Sequence, residues 1–194
     1  GCGQVRSNVR FSFFHRFNDI EQHIQRQLVN ITDATHTDNP KYAVINGGKI
    51  DIHMIFSLSG GTGCGIFLDL AYLLKEIQQN LNINAYAVLP DVFDAFLAGP
   101  AKRLIYPNAY GALVDLDYLM HIRVGEKNFP INYPNGKTIN IDEPPFRTVV
   151  LIDNKNKNGD TYNNISQITE MLGIALATSA GKFSTAEKSA MDNV

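Results

Sequence analysis

The chain has 194 residues, 44% hydrophobic and 19% charged, with a formal net charge of −2. That is enough for one domain with a substantial core, and it gives no general attraction for nucleic acid or an anionic membrane, so any anion site must be local. No apolar run approaches the ~20 residues of a spanning helix, and no basic segment followed by an apolar stretch opens the chain, so the cytoplasm is the expected compartment.

Cys2 and Cys64 are the only cysteines, too few for a disulfide framework and without the paired spacing of a zinc site, and are expected as reduced thiols. The chain opens on Gly1 inside a Gly-Cys-Gly segment rather than at a methionine, and reads as part of a longer product. Phe13, Phe17, Ile20, Ile24 and Leu28 recur at three- and four-residue intervals, which predicts a helix over 9–30. The polar stretch 32–40 reads as a loop, 42–45 as a short strand, and Asn46-Gly47-Gly48 as a turn.

Residues 51–58, with Met54, Ile55 and Phe56 in an apolar run, read as a buried parallel strand. A glycine loop at 59–65 leads into an amphipathic helix carrying Ile66, Leu70, Leu73, Leu74 and Ile77 and ending near Asn80, and 83–89 is the next strand. Strand, helix and strand in this order form a βαβ unit, which requires a parallel sheet faced by helices. Farther on, 107–121 reads as a helix, 132–137 as a hairpin turn on Asn135-Gly136, 147–152 as a buried strand and 165–180 as a final helix.

The chemistry concentrates in Ser59-Gly60-Gly61-Thr62-Gly63-Cys64-Gly65. Glycines let a backbone come close to a ligand, while the first amides of a helix lack intrahelical acceptors and lie at the positive end of its dipole. A phosphate suits that environment, and Thr62 and Ser59 add hydroxyl donors. The Walker loop is excluded because no lysine follows until Lys75. The dinucleotide fingerprint is excluded on spacing, since Gly61 and Gly63 are followed by Ile66 where a third glycine is required.

The same segment resembles the signature of the tubulin and FtsZ family, a small residue followed by Gly-Gly-Thr-Gly-small-Gly, with Cys64 where Ser, Ala or Thr is usual. The resemblance implies a phosphate cradle of Gly60, Gly61, Thr62, Gly63, Cys64 and Gly65. Gly1-Cys-Gly3-Gln-Val-Arg6 is similar to an earlier glycine loop of bacterial tubulin-like proteins, which adds Gly3 and Gln4 on the phosphate side. Leu151-Ile-Asp-Asn154 resembles the segment whose asparagine reads guanine, and Tyr162 stands where an aromatic ring stacks on the base. Asn154 reads also as a turn former and Tyr162 as an exposed loop residue. Ser166 replaces a second base-reading asparagine, and Lys102 and Arg103, near the expected ribose loop, read as a solvated pair. Segments 69–74, 88–93 and 108–113, with Asp115 and Asp117, look like the divergent bacterial tubulin-like group. Asp115, Asp117 and Asp153 are the interior acids to watch, the first two reading better as helix-surface carboxylates.

What the resemblance implies is an α/β fold: a three-layer, mostly parallel Rossmann-like sheet with helices on both faces. Residues 1–194 would be a partial GTP-binding domain lacking its N-terminal strand, a first glycine loop and the C-terminal activation domain. The implied ligands are GTP or GDP with Mg2+, and the implied partner is a second copy, in head-to-tail filaments whose hydrolysis is completed by acidic residues of the next protomer. Catalytic residues are then expected outside this chain, and no metal ligand, nucleic-acid contact or membrane contact is expected within it. Two other readings stay open, an assembly or nucleotide-binding module without turnover and an unrelated doubly wound enzyme for a phosphorylated metabolite.

Overall fold

The computed structural model describes residues 3–32, 50–94, 96–125, 129–162 and 164–180. The strand expected at 42–45 and the turn at 46–48 lie outside the described residues. In chain order the elements are α1 (Arg6–His15), α2 (Phe17–Thr32), β1 (Ile50–Ser57), α3 (Gly61–Ile77), β2 (Leu81–Val88), α4 (Asp91–Asp94), α5 (Pro100–Met120), β3 (Phe129–Asn132), β4 (Thr138–Ile141), β5 (Thr148–Ile152) and α6 (Ile165–Ala180).

The apolar stripe that predicts one helix over 9–30 is divided between α1 and α2, with the break at Arg16 (φ −106°, ψ 18°). Phe13 and Phe17, on either side of the break, are both buried and meet edge to face at 5.8 Å. Phe17 also stacks on Tyr133 at 4.2 Å. Two aromatic anchors in one cluster hold the chain there while its direction changes, a tertiary constraint that periodicity does not register.

β1 and β2 pair in parallel from Ile50 opposite Leu81 to Ser57 opposite Val88, and β2 pairs in parallel with β5 from Asn84 opposite Thr148. The sheet order is β1-β2-β5. Because strand side chains alternate between faces, Ile52, Met54 and Phe56 join Ile83, Ala85 and Ala87 in a cluster with Phe67 and Ala71 of α3 and Ala109, Ala112 and Leu116 of α5. The alternate residues Tyr86, Val88, Val150 and Ile152 pack with Val92 of α4 and Ile168 and Leu172 of α6. Helices therefore cover residues on both faces of a parallel sheet. The alanines at the first interface remove side-chain bulk and let helix and sheet come close.

β3 and β4 form the expected hairpin, antiparallel from Phe129 opposite Ile141 to Asn132 opposite Thr138. Its turn needs the left-handed Gly136 (φ +80°). The hairpin presses Tyr133, Ile139 and Ile141 against Phe13, Phe17, Tyr72 and Leu73. α5 begins seven residues before the expected 107, with a proline at its first turn following Gly99 (φ +63°). Pro107 lies inside the helix and is exposed. On that side the carbonyl that loses its helical partner can bond to water, so the helix continues through the residue expected to begin it.

Candidate functional site

All three parallel strands end at one edge. The ladder continues past their ends, Leu58 N–H donating to Val88 O at 3.0 Å and Leu89 N–H to Ile152 O at 2.9 Å. This brings the loops after β1, β2 and β5 side by side at the carboxyl edge, where crevices of parallel α/β sheets form. α1 and α3 pack side by side in parallel: Arg6 Nε bonds Cys64 O at 3.1 Å, and about one turn farther along both helices Arg10 Nε bonds Asp69 Oδ2 at 2.8 Å. Their N-termini meet at that edge, so two positive helix ends face the same space.

Helix geometry already claims most of the expected glycine loop, because α3 starts at Gly61. The glycines divide by role. A Cβ on Gly61 would sit 3.0 Å from Gln4 Cα, one on Gly63 only 2.5 Å from Ser57 O, and one on Gly65 only 2.9 Å from Arg6 O. These three allow α3 to approach α1, β1 and the Gly3-Gln4 turn. Gly60, the residue that caps the helix, has nothing within 4 Å of a built Cβ and faces open space. Gly3 (φ +61°) and Gln4 (φ +59°) are both left-handed, an uncommon conformation for glutamine. The structure thus brings Gln4 against Gly61, at the start of α3, while a Cβ on Gly3 would meet nothing within 4 Å.

The helix start is polar and incomplete. Gly60 makes no side-chain cap. Ser59 N–H is taken by Ser57 Oγ at 3.0 Å, and among the described residues no acceptor outside the helix meets the amides of Gly60, Gly61, Thr62 or Gly63. Thr62 is exposed. Ser59 is 3% exposed and its hydroxyl has no hydrogen-bond partner. A buried hydroxyl without a partner is costly unless something else supplies one. The Cys64 thiol is buried and donates to Gly60 O. Burial pushes its pKa up, with Arg6 opposing, so the neutral thiol braces the loop from behind.

Two residues to which the sequence assigned no role hold the two turns together. Buried Asn108 of α5 donates from Nδ2 to Gln4 O at 2.8 Å and to Ser59 O at 3.2 Å. Arg6, besides its bond to Cys64 O, places Nη2 2.6 Å from Asp115 Oδ2. Asp115 is therefore engaged on the helix side rather than in the crevice. Asn108 opens the segment 108–113 that resembles the bacterial group, but its role was not readable there, because its partners lie 104 and 49 residues away.

At the end of β5 Asn154 Nδ2 donates to Asp91 O at 3.2 Å, and Asn154 O accepts from Tyr162 N–H at 2.7 Å. Tyr162 packs partly buried beside Val88, Val92 and Ile152. Asp153 Oδ1 accepts the Asn154 amide at 2.6 Å. Asn154 and Tyr162 are thus adjacent, at the end of β5. Lys102 pairs with Asp94 at 2.9 Å, whereas Ser166 is exposed on α6. Among the described residues no three His, Cys, Asp or Glu side chains group as metal ligands.

A second buried polar centre lies along α3. Asp69 accepts Arg10 Nε at 2.8 Å, Arg10 Nη2 at 3.0 Å and Tyr133 Oη–H at 3.0 Å. The Asp69 hydrogen bond raises the Arg10 pKa, and burial, followed by the nearby Asp69 charge, pushes the Tyr133 hydroxyl far above its ordinary value.

Fold and site together define an α/β protein with a parallel sheet and open helix-terminal amides gathered at its carboxyl edge. The family model described as tubulin like matches residues 1–194, and the chain belongs to that family. No curated protein and no solved structure matches it.

Proposed function

We propose that the chain is part of the GTP-binding domain of a tubulin-like cytoskeletal GTPase, assembling head-to-tail with hydrolysis completed by the next protomer. The observation that carries this reading is the buried Ser59 hydroxyl beside the amides of Gly60, Gly61, Thr62 and Gly63, all without a partner outside the helix among the described residues, where α1 and α3 bring their N-termini together. A triphosphate supplies the acceptors and negative charge that this arrangement lacks. Thr62 and the Gly3-Gln4 turn extend the cradle. Asn154 and Tyr162 are the base-side pair, the amide reading the purine edge and the ring stacking on it. Helices packed on both faces of the sheet support the three-layer tubulin-type arrangement.

The donor types, backbone amides and hydroxyls at a helix start, suit phosphate oxygens. Mg2+ would enter with the triphosphate, held by its oxygens and by water, as this ion commonly is. Bound there, it would neutralise phosphate charge. The chain's own part is to bind and orient the nucleotide. Family membership sets aside the unrelated metabolite enzyme. Binding without turnover is the remaining alternative, and phosphate release separates the two. The chain alone is expected to turn over GTP more slowly than about 1 s⁻¹, the low end of ordinary enzyme rates. Faster release would contradict the assignment of catalytic acids to a neighbouring protomer. Thr62→Ala should weaken GTP binding without unfolding the protein, and unchanged affinity would remove Thr62 from the cradle.

A further inference from the structure

The solvent side of α5 carries a pattern that the nucleotide reading does not use. Buried residues Ile105, Ala109, Ala112, Leu116 and Leu119 take one side of this 21-residue helix. On the other side Tyr110 is 74% exposed, Tyr106 46% and Val114 49%. Single exposed apolar residues need no explanation, but a row at four-residue spacing on one helix face is a patch. Arg103 and Asp117, both exposed, stand seven residues either side of Tyr110, close to two helical turns, so all three lie on one stripe. Tyr106 and Val114 stand four residues either side of the same tyrosine.

The face is therefore complementary to itself. We infer that α5 is a two-fold docking surface for the α5 of a second copy of this chain, antiparallel and centred on Tyr110. In that arrangement Tyr110 meets Tyr110, Tyr106 meets Val114, and Arg103 meets Asp117 twice over, as a closed symmetric interface demands. The charged ends lie about 10 Å from the axis, and at the ~20° crossing common for helix pairs they stay within reach of each other. Asp117 already sits 3.5 Å from the His121 ring, an exposed contact that leaves its carboxylate able to take a stronger cation. A head-to-tail contact joins two different surfaces, so this interface is distinct from filament growth and stands independently of the nucleotide assignment.

The test is a single cysteine at the axis. In a Cys2→Ser background, Tyr110→Cys chains should be joined to one another by a short bis-maleimide, at a yield well above that of Phe11→Cys, an equally exposed position on α1. Arg103→Asp added to that variant should reduce the yield at least about tenfold by placing like charges together, and adding Asp117→Arg as well should restore it. Sedimentation of the unmodified chain should show a monomer–dimer equilibrium that Tyr110→Ala weakens at least about tenfold. A chain that stays monomeric up to about 100 μM, a 110–110 yield no higher than the α1 control, or a charge swap that fails to restore it overturns the inference.

Discussion

Ser59 and Asp69 lie on the same strand–helix unit and are almost equally buried, at 3% and 5% exposure, yet their surroundings are opposite. Asp69 accepts three hydrogen bonds, two from Arg10 and one from Tyr133. The Ser59 hydroxyl has none, and the amides beside it have no protein acceptor among the described residues. A saturated buried polar group fixes packing, here tying α1, α3 and the hairpin into one body. An unsaturated one at a helix start ties nothing together, and helix N-termini are where anions commonly bind. Polarity and burial alone do not distinguish a binding site from a structural network, but the count of unmet donors does.

The comparison breaks most visibly if the saturated centre is removed. Tyr133→Ala takes out a buried ring stacked on Phe17 and is expected to cost about 3–5 kcal/mol in urea unfolding, while GTP affinity of the folded fraction stays unchanged. Gly63→Ala is expected to cost about 1–3 kcal/mol, because its Cβ would meet Ser57 O at 2.5 Å. Unlike the tyrosine change it should also impair GTP binding, since the strain displaces the loop itself.

Alkaline pH gives the next effect. Burial raises the Tyr72 and Tyr133 hydroxyls far above their ordinary value, so the folded state keeps protons that the unfolded chain loses above about pH 10. Their contribution is complete below that pH and is lost as pH rises, by at most about 1.4 kcal/mol per unit for each tyrosine. Urea midpoints between pH 9 and 11 should fall, and Tyr133→Phe, itself costing about 1 kcal/mol, should flatten the fall. An equal slope in the variant would mean that Tyr133 ionises freely. Ser59→Ala has the smallest effect on stability. Removing an unpartnered hydroxyl should leave the free protein as stable as the parent or more stable by up to about 1 kcal/mol, while weakening GTP binding about tenfold.

Much of the frame was legible in the sequence. Strand, glycines, helix and strand in succession predict the parallel pair β1 and β2, and Asn135-Gly136 marks the hairpin. These signals are local, so a single sequence carries them. The break at Arg16, the earlier start of α5 and the Asn108 clamp depend on partners distant in sequence, and no period of 3.6 or 2 encodes those. The glycines were legible as a motif but not by role. Three of them serve close approach between elements, and Gly60 is left facing open space. A glycine that lets two elements touch and one that faces open space look alike in the sequence, and only the surrounding atoms separate them.

The most direct measurement is equilibrium dialysis of the purified chain against labelled GTP and ATP, for the parent and for Ser59→Ala. GTP should be retained in preference to ATP, and the serine variant should retain less at undiminished thermal stability. A folded chain that retains no GTP at about 1 mM, or that takes GTP equally well without the serine hydroxyl, would contradict it.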